Sequence, residues 1–150
     1  MDVHNRALEW IAGDPDPTTR DELQALIDAG NDAALGERMA GPLQFGTAGI
    51  RGVVEAGDAR MNRATVIRAT AGLATSLTER FGEGLVVVGF DARLSSEQFA
   101  RDTIGVLLAA GFSVRFFLEP TPTPVVAYAG KVYDAVATVI VTASHNPPRD

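Results

Sequence analysis

Short apolar segments alternate with helical patterns over residues 43–150, and this alternation constrains the fold more than any other feature. Residues 85–90 and 135–141 are apolar runs rich in valine, and the pattern of residues 113–118 is also typical of a strand. A further strand is predicted near residues 48–54. Strands separated by helices need crossover connections, which give a parallel sheet with helices on both faces. We therefore predict an α/β fold, a three-layer α/β/α domain with a mostly parallel, mixed four-stranded sheet.

The first part of the chain has a different pattern, with three short helices and no motif that indicates chemistry. The second of these helices is predicted to begin with a capping box, Thr-Arg-Asp-Glu, at residues 19–22. Trp10 is interpreted as a packing anchor. We predict that residues 1–42 form a helical lead-in packed on a domain of residues 43–150. Within that domain, Asn62 is a suitable N-cap for a long helix.

The charge and composition exclude several classes of function. The 150-residue chain has a net charge of −6 and no cysteine. Nucleic-acid binding through a broad basic face is therefore excluded, and an anionic substrate would need a few well-placed arginines. Thiolate catalysis and cysteine-bound zinc are excluded as well. No apolar run approaches the ~20 residues of a membrane span, and no signal-peptide pattern is present, so we predict a cytoplasmic protein that binds no membrane.

The apolar run of residues 135–141 ends in a polar segment, residues 142–148, with the sequence Thr-Ala-Ser-His-Asn-Pro-Pro. We call this segment the serine loop. Its two prolines prevent a helix from following directly, since neither has an N–H to donate. Ser144 and His145 are therefore held on a stiff loop at the carboxyl end of a buried strand. In open α/β sheets, ligands bind at that end of the strands.

The pattern alone leaves three interpretations of Ser144 and His145 open. In the first, Ser144 and Asn146 satisfy backbone groups of the loop and have no catalytic role. In the second, Ser144 is the nucleophile of a hydrolase, although adjacent residues rarely aim at each other and the Gly-x-Ser-x-Gly elbow is missing. In the third, Ser144 carries a phosphoryl group, a chemistry that needs nearby positive charge and usually a divalent metal.

Two further loops could supply such charge or support. Residues 45–52, Phe-Gly-Thr-Ala-Gly-Ile-Arg-Gly, combine closely spaced glycines with Arg51, whose planar guanidinium matches phosphate oxygens. The alternative is a glycine-bent strand with a surface arginine. In residues 91–96, Asp-Ala-Arg-Leu-Ser-Ser, an ion pair of Asp91 with Arg93 would fix the loop. The two serines there are interpreted as caps of the following helix.

These three loops closely resemble the motifs of one known family. The Thr-Ala-Ser-His-Asn-Pro sequence resembles the phosphoserine signature of the α-D-phosphohexomutases, the phosphoglucomutase/phosphomannomutase superfamily. The other two loops resemble that family's arginine loop and its Asp-x-Arg-x-Ser-Ser turn, and they occur in family order. The resemblance covers about residues 7–150, and the helical lead-in resembles the branch with phosphopentomutase-like members. It implies domain I of a four-domain enzyme.

The resemblance implies intramolecular phosphoryl transfer that interconverts the 1-phosphate and the 6-phosphate of a sugar. Phosphorylated Ser144 would donate to a sugar monophosphate, and the resulting bisphosphate would reorient and return a phosphoryl group. His145 would assist proton transfer, and Arg51 would neutralise phosphoryl charge and share in proton transfer. Further implied roles are substrate or phosphate binding by Thr47, Arg51 and Asn146, and loop support by Asp91, Arg93 and Ser95.

The resemblance also implies cofactors and partners. Mg²⁺ would bind a phosphoryl oxygen on Ser144, and a sugar bisphosphate, such as glucose 1,6-bisphosphate, would be an activator. The family's metal loop, Asp-Gly-Asp-x-Asp-Arg, and its sugar-recognition loops belong to domains II–IV, which are absent from this chain. We therefore predict that the partners are a phosphosugar substrate and those missing C-terminal domains, and that the chain alone is inactive. The alternative is a stand-alone phosphosugar-binding or regulatory module.

Overall fold

The structure, a computed structural model, describes residues 2–143 and divides into two compact units, one up to Thr65 and one from Val66 onward. The first unit contains three helices and two short strands, α1 (Val3–Gly13), α2 (Pro17–Asp28), α3 (Asp32–Arg38), β1 (Phe45–Gly46) and β2 (Gly49–Ile50). Helix α4 (Arg63–Phe81) crosses the boundary. The second unit continues with β3 (Leu85–Phe90), α5 (Ser96–Ala109), β4 (Ser113–Phe116), α6 (Thr123–Val132) and β5 (Ala137–Val141).

The three helices of the first unit pack around one apolar core. Leu23 is fully buried and Trp10 is 5% exposed, so Trp10 is a packing anchor, as predicted. The start of α2 differs from the prediction. Asp16 Oδ1 accepts the Thr18 N–H at 2.9 Å, and Pro17 occupies the first helical position, so the helix begins before the predicted capping box. Proline sacrifices no helical hydrogen bond at that position, and its fixed φ suits the helix.

The predicted strand near residues 48–54 does not join the parallel sheet. Strands β1 and β2 instead pair with each other as a short antiparallel hairpin. The chain turns back at Thr47 and Ala48, and Gly49, directly after this turn, has a φ of 106°, a conformation that favours glycine. Beyond β2, the Met61 N–H donates to the Val53 carbonyl at 2.9 Å, so this backbone is also satisfied locally.

The second unit confirms the predicted α/β class. Its strands form a parallel sheet in the order β4-β3-β5, and α5 and α6 make the two crossovers. Within the described residues this sheet has three strands, where four were predicted. Strand β3 is central and buried, with Val86, Val87 and Val88 at most 1% exposed. Strand β5 was predicted to be buried and is half-buried, because within residues 2–143 it pairs with β3 alone.

Helices cover both faces of this sheet. Successive residues of a strand point to opposite faces. Val88 belongs to a core shared with Leu77 of α4 and Leu107 of α5. On the other face, Gly89 lies directly against Val126 of α6, so close that an added Cβ would be 2.5 Å from its side chain. The layers are therefore those predicted for an α/β/α domain.

Helix α4 begins at the predicted N-cap. The Asn62 Oδ1 accepts the Thr65 N–H at 2.9 Å. Its side-chain amide donates to the carbonyls of Glu55 and Gly57, at 3.0 and 2.8 Å. Asn62 is only 2% exposed. A single buried side chain thus caps the helix and holds the loop that precedes it.

Candidate functional site

The candidate site lies at the carboxyl ends of two neighbouring parallel strands. In the pairing of β3 with β5, Phe90 is opposite Val141, so Asp91 and Thr142 follow at the same edge of the sheet. The Asp91 N–H donates to the Val141 carbonyl at 3.0 Å and extends the pairing by one residue. The loop after β3 therefore contacts the chain just before Ser144.

The carboxylate of Asp91 connects these two loops. Its Oδ1 accepts the Ser96 hydroxyl at 2.6 Å and the Arg93 N–H at 3.2 Å. Its Oδ2 accepts the Ala143 N–H at 3.3 Å and lies 3.5 Å from Arg93 Nε. The Thr142 side chain also donates to this carboxylate. The predicted ion pair of Asp91 and Arg93 is thus confirmed, and the same carboxylate fixes the backbone at the start of the serine loop.

The protonation state of Asp91 follows from these contacts. Partial burial disfavours the charged form and by itself would raise the pKa of the carboxyl group. The donated hydrogen bonds, first among them that from the Ser96 hydroxyl, outweigh burial and hold the pKa below its usual value. Asp91 is therefore a carboxylate at neutral pH and has no proton to give. This suits a positioning group and not a general acid.

The two serines of this loop behave differently from the prediction. Ser95 stands at the N-cap of α5, yet its side chain makes no capping hydrogen bond. Its backbone is helical, with φ −91° and ψ −16°, whereas an N-cap residue that bonds to its helix is usually extended. Ser96 is 4% exposed and gives its hydroxyl to Asp91. The predicted capping role of both serines is therefore wrong, and Ser96 supplies the hydroxyl that supports the loop.

Arg51 and Thr47 belong to the hairpin of the first unit. Thr47 lies in the turn between β1 and β2, Arg51 directly follows β2, and both residues are exposed. No ion pair joins Arg51 to another residue of the range 2–143. Within that range, the charge of Arg51 is therefore available to an anion. The other predicted site residues, Ser144, His145 and Asn146, lie outside the described residues.

A cluster of charges holds the segment between β2 and α4, and the sequence did not predict it. Glu55 Oε2 lies 3.2 Å from Arg38 Nε and 2.9 Å from Arg60 Nε. Glu22 pairs with Arg38, and its Oε2 accepts the Ala56 N–H at 3.1 Å. These partners are as many as 34 positions apart along the chain, so no local pattern could have indicated them.

Residues 2–143 contain no candidate metal site and no candidate membrane span. No group of three or more His, Asp or Glu side chains within residues 2–143 could hold a metal ion. The predicted Mg²⁺ ligand, a phosphoryl oxygen on Ser144, lies outside that range. No helix in the same range is long and apolar enough to cross a membrane.

The chain matches the model of one protein family over most of its length. The family model described as phosphoglucomutase/phosphomannomutase, alpha/beta/alpha domain I, matches residues 42–150. The chain belongs to this family. The resemblance predicted from the three loops is thereby confirmed, and so is the fold class. All three motifs of this phosphoglucomutase/phosphomannomutase domain lie within the matched residues.

Individual relatives agree with this assignment. The chain is 41% identical over 146 residues to phosphoribomutase of Saccharomyces cerevisiae, a match that covers 94% of this chain and 23% of that protein. It is 36% identical over 151 residues to glucose 1,6-bisphosphate synthase of Mus musculus, covering 95% of this chain and 24% of that protein.

A solved structure extends the comparison to three dimensions. The crystal structure of a protein described as a phosphomannomutase from Thermus thermophilus matches with a TM-score of 0.66 and 41% identity, and covers 72% of this chain and 24% of that one. Our chain thus spans about a quarter of the length of the curated relatives that it matches. It corresponds to one domain of proteins of that size.

Proposed function

We propose that this chain is the first domain of a longer phosphosugar mutase and that Ser144 carries the transferred phosphoryl group. The observation that supports the proposal most directly is the hydrogen bond from the Ala143 N–H to Asp91. It ties the residue before Ser144 to a carboxylate that other donors hold in place. Phosphoryl transfer depends on the orientation of the reacting atoms. A loop that presents the Ser144 oxygen to successive substrates therefore needs its first residues held in place.

In the proposed reaction, the phosphoryl group leaves the Ser144 oxygen and bonds to a hydroxyl oxygen of a sugar monophosphate. His145 takes the proton that this hydroxyl releases, since an imidazole can accept a proton near neutral pH, and the Ser144 oxygen takes up a proton as the phosphoryl group leaves it. The product is a sugar bisphosphate, which reorients and returns its other phosphoryl group to Ser144. Thr47 and Asn146 would help to bind the substrate and its phosphate.

Positive charge is the second requirement, because phosphoryl transfer depends on stabilising negative charge. The exposed guanidinium of Arg51 suits that role. A phosphoryl oxygen on Ser144 would hold Mg²⁺, which supplies further charge stabilisation when it is bound. The serine loop would be supported by Asp91, Arg93 and Ser96. A supporting role for Ser95 stays a prediction.

The names of the relatives support a proposal for the substrate class. One is a phosphoribomutase and another a glucose 1,6-bisphosphate synthase, so we propose a pentose or hexose phosphate as substrate and a sugar bisphosphate as intermediate and activator. The missing C-terminal domains would supply the sugar contacts. The predicted lead-in of residues 1–42, the domain of residues 43–150 and the cytoplasmic location are kept as parts of this proposal.

The carrier role is tested by mass spectrometry on the longer polypeptide that the coding sequence specifies. We expect a phosphoryl mass increment on the peptide that contains Ser144, and we expect Ser144→Ala to abolish it. Ser113→Ala is the matched control, since Ser113 is an exposed serine at the start of β4 and should leave the increment intact. An increment that survives Ser144→Ala would rule out Ser144 as the carrier.

A further inference from the structure

Helix α6 is apolar on two sides, which a surface helix is not expected to be. One side, with Val126 and Gly130, is buried against the sheet. The other exposes Val125, Tyr128 and Val132, which are 49%, 67% and 57% exposed. These three residues are spaced by three and four positions, so they form one continuous stripe. A helix that is apolar on both sides is normally covered on both sides.

The stripe continues at the carboxyl end of α6. Tyr133, 46% exposed, follows the last residue of the helix, and the guanidinium carbon of Arg115 on β4 lies 4.2 Å from the centre of its ring. Tyrosine and arginine are enriched in protein interfaces, and valine supplies apolar area. We call Val125, Tyr128, Val132, Tyr133 and Arg115 together the α6 face.

Helix α5 of the same unit does not share this property. The exposed side of α5 carries Glu97 and Arg101, which form an ion pair at 2.7 Å, together with Gln98 and Asp102. Lys131 is the single charged residue within α6. Exposed apolar residues that occur singly, such as Leu108 on α5, need no explanation, but a contiguous patch does.

We propose that the α6 face is the docking surface for the domain that follows residue 150 in the longer polypeptide. The inference rests on the proposed function, in which this chain is the first domain of a mutase. Two observations select this occupant. Relatives that match nearly the whole chain are about four times as long, so each of them has most of its polypeptide beyond the matched region.

The size of the surface is the second observation. A stable dimer buries about 800 Å² on each partner. Two tyrosines and two valines, each between 46% and 67% exposed, offer on the order of 300 Å². This area is too little for an independent dimer and suits a contact between linked domains. The link matters because it raises the effective concentration of the second domain. Since α6 leads directly into β5, docking would occur beside the strand that precedes the serine loop.

Hydroxyl-radical footprinting tests the proposal on the 150-residue chain and on the longer polypeptide. We expect Tyr128 and Tyr133 to be labelled readily in the short chain and roughly fivefold less in the longer one, since an aromatic ring in an interface is shielded from solvent. Tyr128→Glu should restore labelling of Tyr133 in the longer polypeptide. Leu108→Glu, an equally exposed apolar residue on α5, should not.

Other outcomes contradict the proposal. Equal labelling of both tyrosines in the two chains would show that no linked domain covers the α6 face. Protection that appears in the short chain as its concentration rises would assign the face to a second copy instead. The phosphoryl increment on Ser144 is measured on the same samples. If the tyrosines are protected but Ser144 carries no phosphoryl increment, the proposed function alone is contradicted. If Ser144 carries the increment but the tyrosines are exposed, the docking alone is contradicted.

Discussion

At the scale of single residues, Asp91 explains how one polar side chain can organise two loops. Burial by itself would work against its charge, yet hydrogen bonds from Ser96, Arg93 and the start of the serine loop keep it ionised. Removing one partner of a buried, charged hydrogen-bond network leaves the others unsatisfied. The consequences should therefore reach both the stability of the domain and the position of Ser144.

Asp91→Asn keeps the shape of the side chain but turns one acceptor into a donor that faces other donors. We expect a loss of about 1–3 kcal/mol in the free energy of unfolding, measured by urea denaturation. In the longer polypeptide, phosphorylation of Ser144 should fall roughly 10–100-fold, as for other supporting residues of reactive groups. Glu97→Gln, at an exposed ion pair of α5, is the control and should cost less than about 1 kcal/mol. Equal effects of the two variants would contradict a special role for Asp91.

The lowered pKa of Asp91 also sets the direction of a pH effect. A carboxyl whose pKa is depressed in the folded state stabilises the protein above its unfolded pKa, about 3.9, and loses that contribution as the pH falls through the folded pKa. We expect the stability difference between wild type and Asp91→Asn to be constant from about pH 7 to about pH 5 and to shrink below about pH 4. A difference that disappears between about pH 7 and about pH 5 would mean that the pKa is raised.

At the scale of elements, the packing of α6 on the sheet depends on glycine. A Cβ added to Gly130 would lie 2.0 Å from the Thr138 Oγ1 on β5, whereas one added to Gly105 of α5 would meet nothing within 4 Å. The backbone of Gly130 therefore lies directly against the Thr138 side chain. The strand that precedes the serine loop is held at this contact.

The two helical glycines make a matched pair. Gly130→Ala should destabilise the domain by about 1–3 kcal/mol through overpacking. Gly105→Ala should stabilise it by about 0.5–1 kcal/mol, because alanine loses less backbone entropy in a helix. Thermal and urea unfolding of both variants measures this. Adding Thr138→Ala to Gly130→Ala should recover part of the loss, and no recovery would show that the close contact is not the cause.

The elements also show what sequence alone can predict. The strands β3 and β5 and the long helix α4 were predicted because their apolar spacing is local and their ends carry glycine or a capping Asn62. The strand near residues 48–54 was not placed correctly, because Thr47 and Ala48 form a turn between β1 and β2 that the side-chain pattern does not indicate. The capping roles of the serines were wrong because the Ser96 hydroxyl is taken by Asp91.

The candidate site was predictable to a similar degree. The Asp91–Arg93 pair lies two positions apart and was predicted from its loop. The contact of Asp91 with Ala143 spans 52 positions, and it follows only from the pairing of β3 with β5. Family motifs can indicate that such residues belong together. The specific donor and acceptor atoms require the structure.

At the scale of the whole molecule, the chain corresponds to about a quarter of the length of its curated relatives. The described residues contain no group of acidic or histidine side chains that could hold a metal ion. In the proposed function, the other domains would bring the remaining parts of the site for phosphoryl transfer.

Accordingly, we expect the purified 150-residue chain to show no turnover of glucose 1-phosphate or of ribose 5-phosphate in the presence of Mg²⁺. The reason is that binding and charge stabilisation of the sugar phosphate would be incomplete. A coupled assay with the longer polypeptide as the positive control measures this. Turnover by the short chain, unaffected by Ser144→Ala, would point to a contaminating enzyme. Turnover that Ser144→Ala abolishes would show that one domain suffices.

In the proposed function, Ser144 passes its phosphoryl group to a sugar phosphate. A single-turnover chase tests this transfer: the longer polypeptide, labelled with phosphate at Ser144, is mixed with an excess of sugar monophosphate and quenched at intervals. We expect the label to leave Ser144 and to appear first in a sugar bisphosphate. A label that stays on the protein, or that appears only as inorganic phosphate, would contradict the claim.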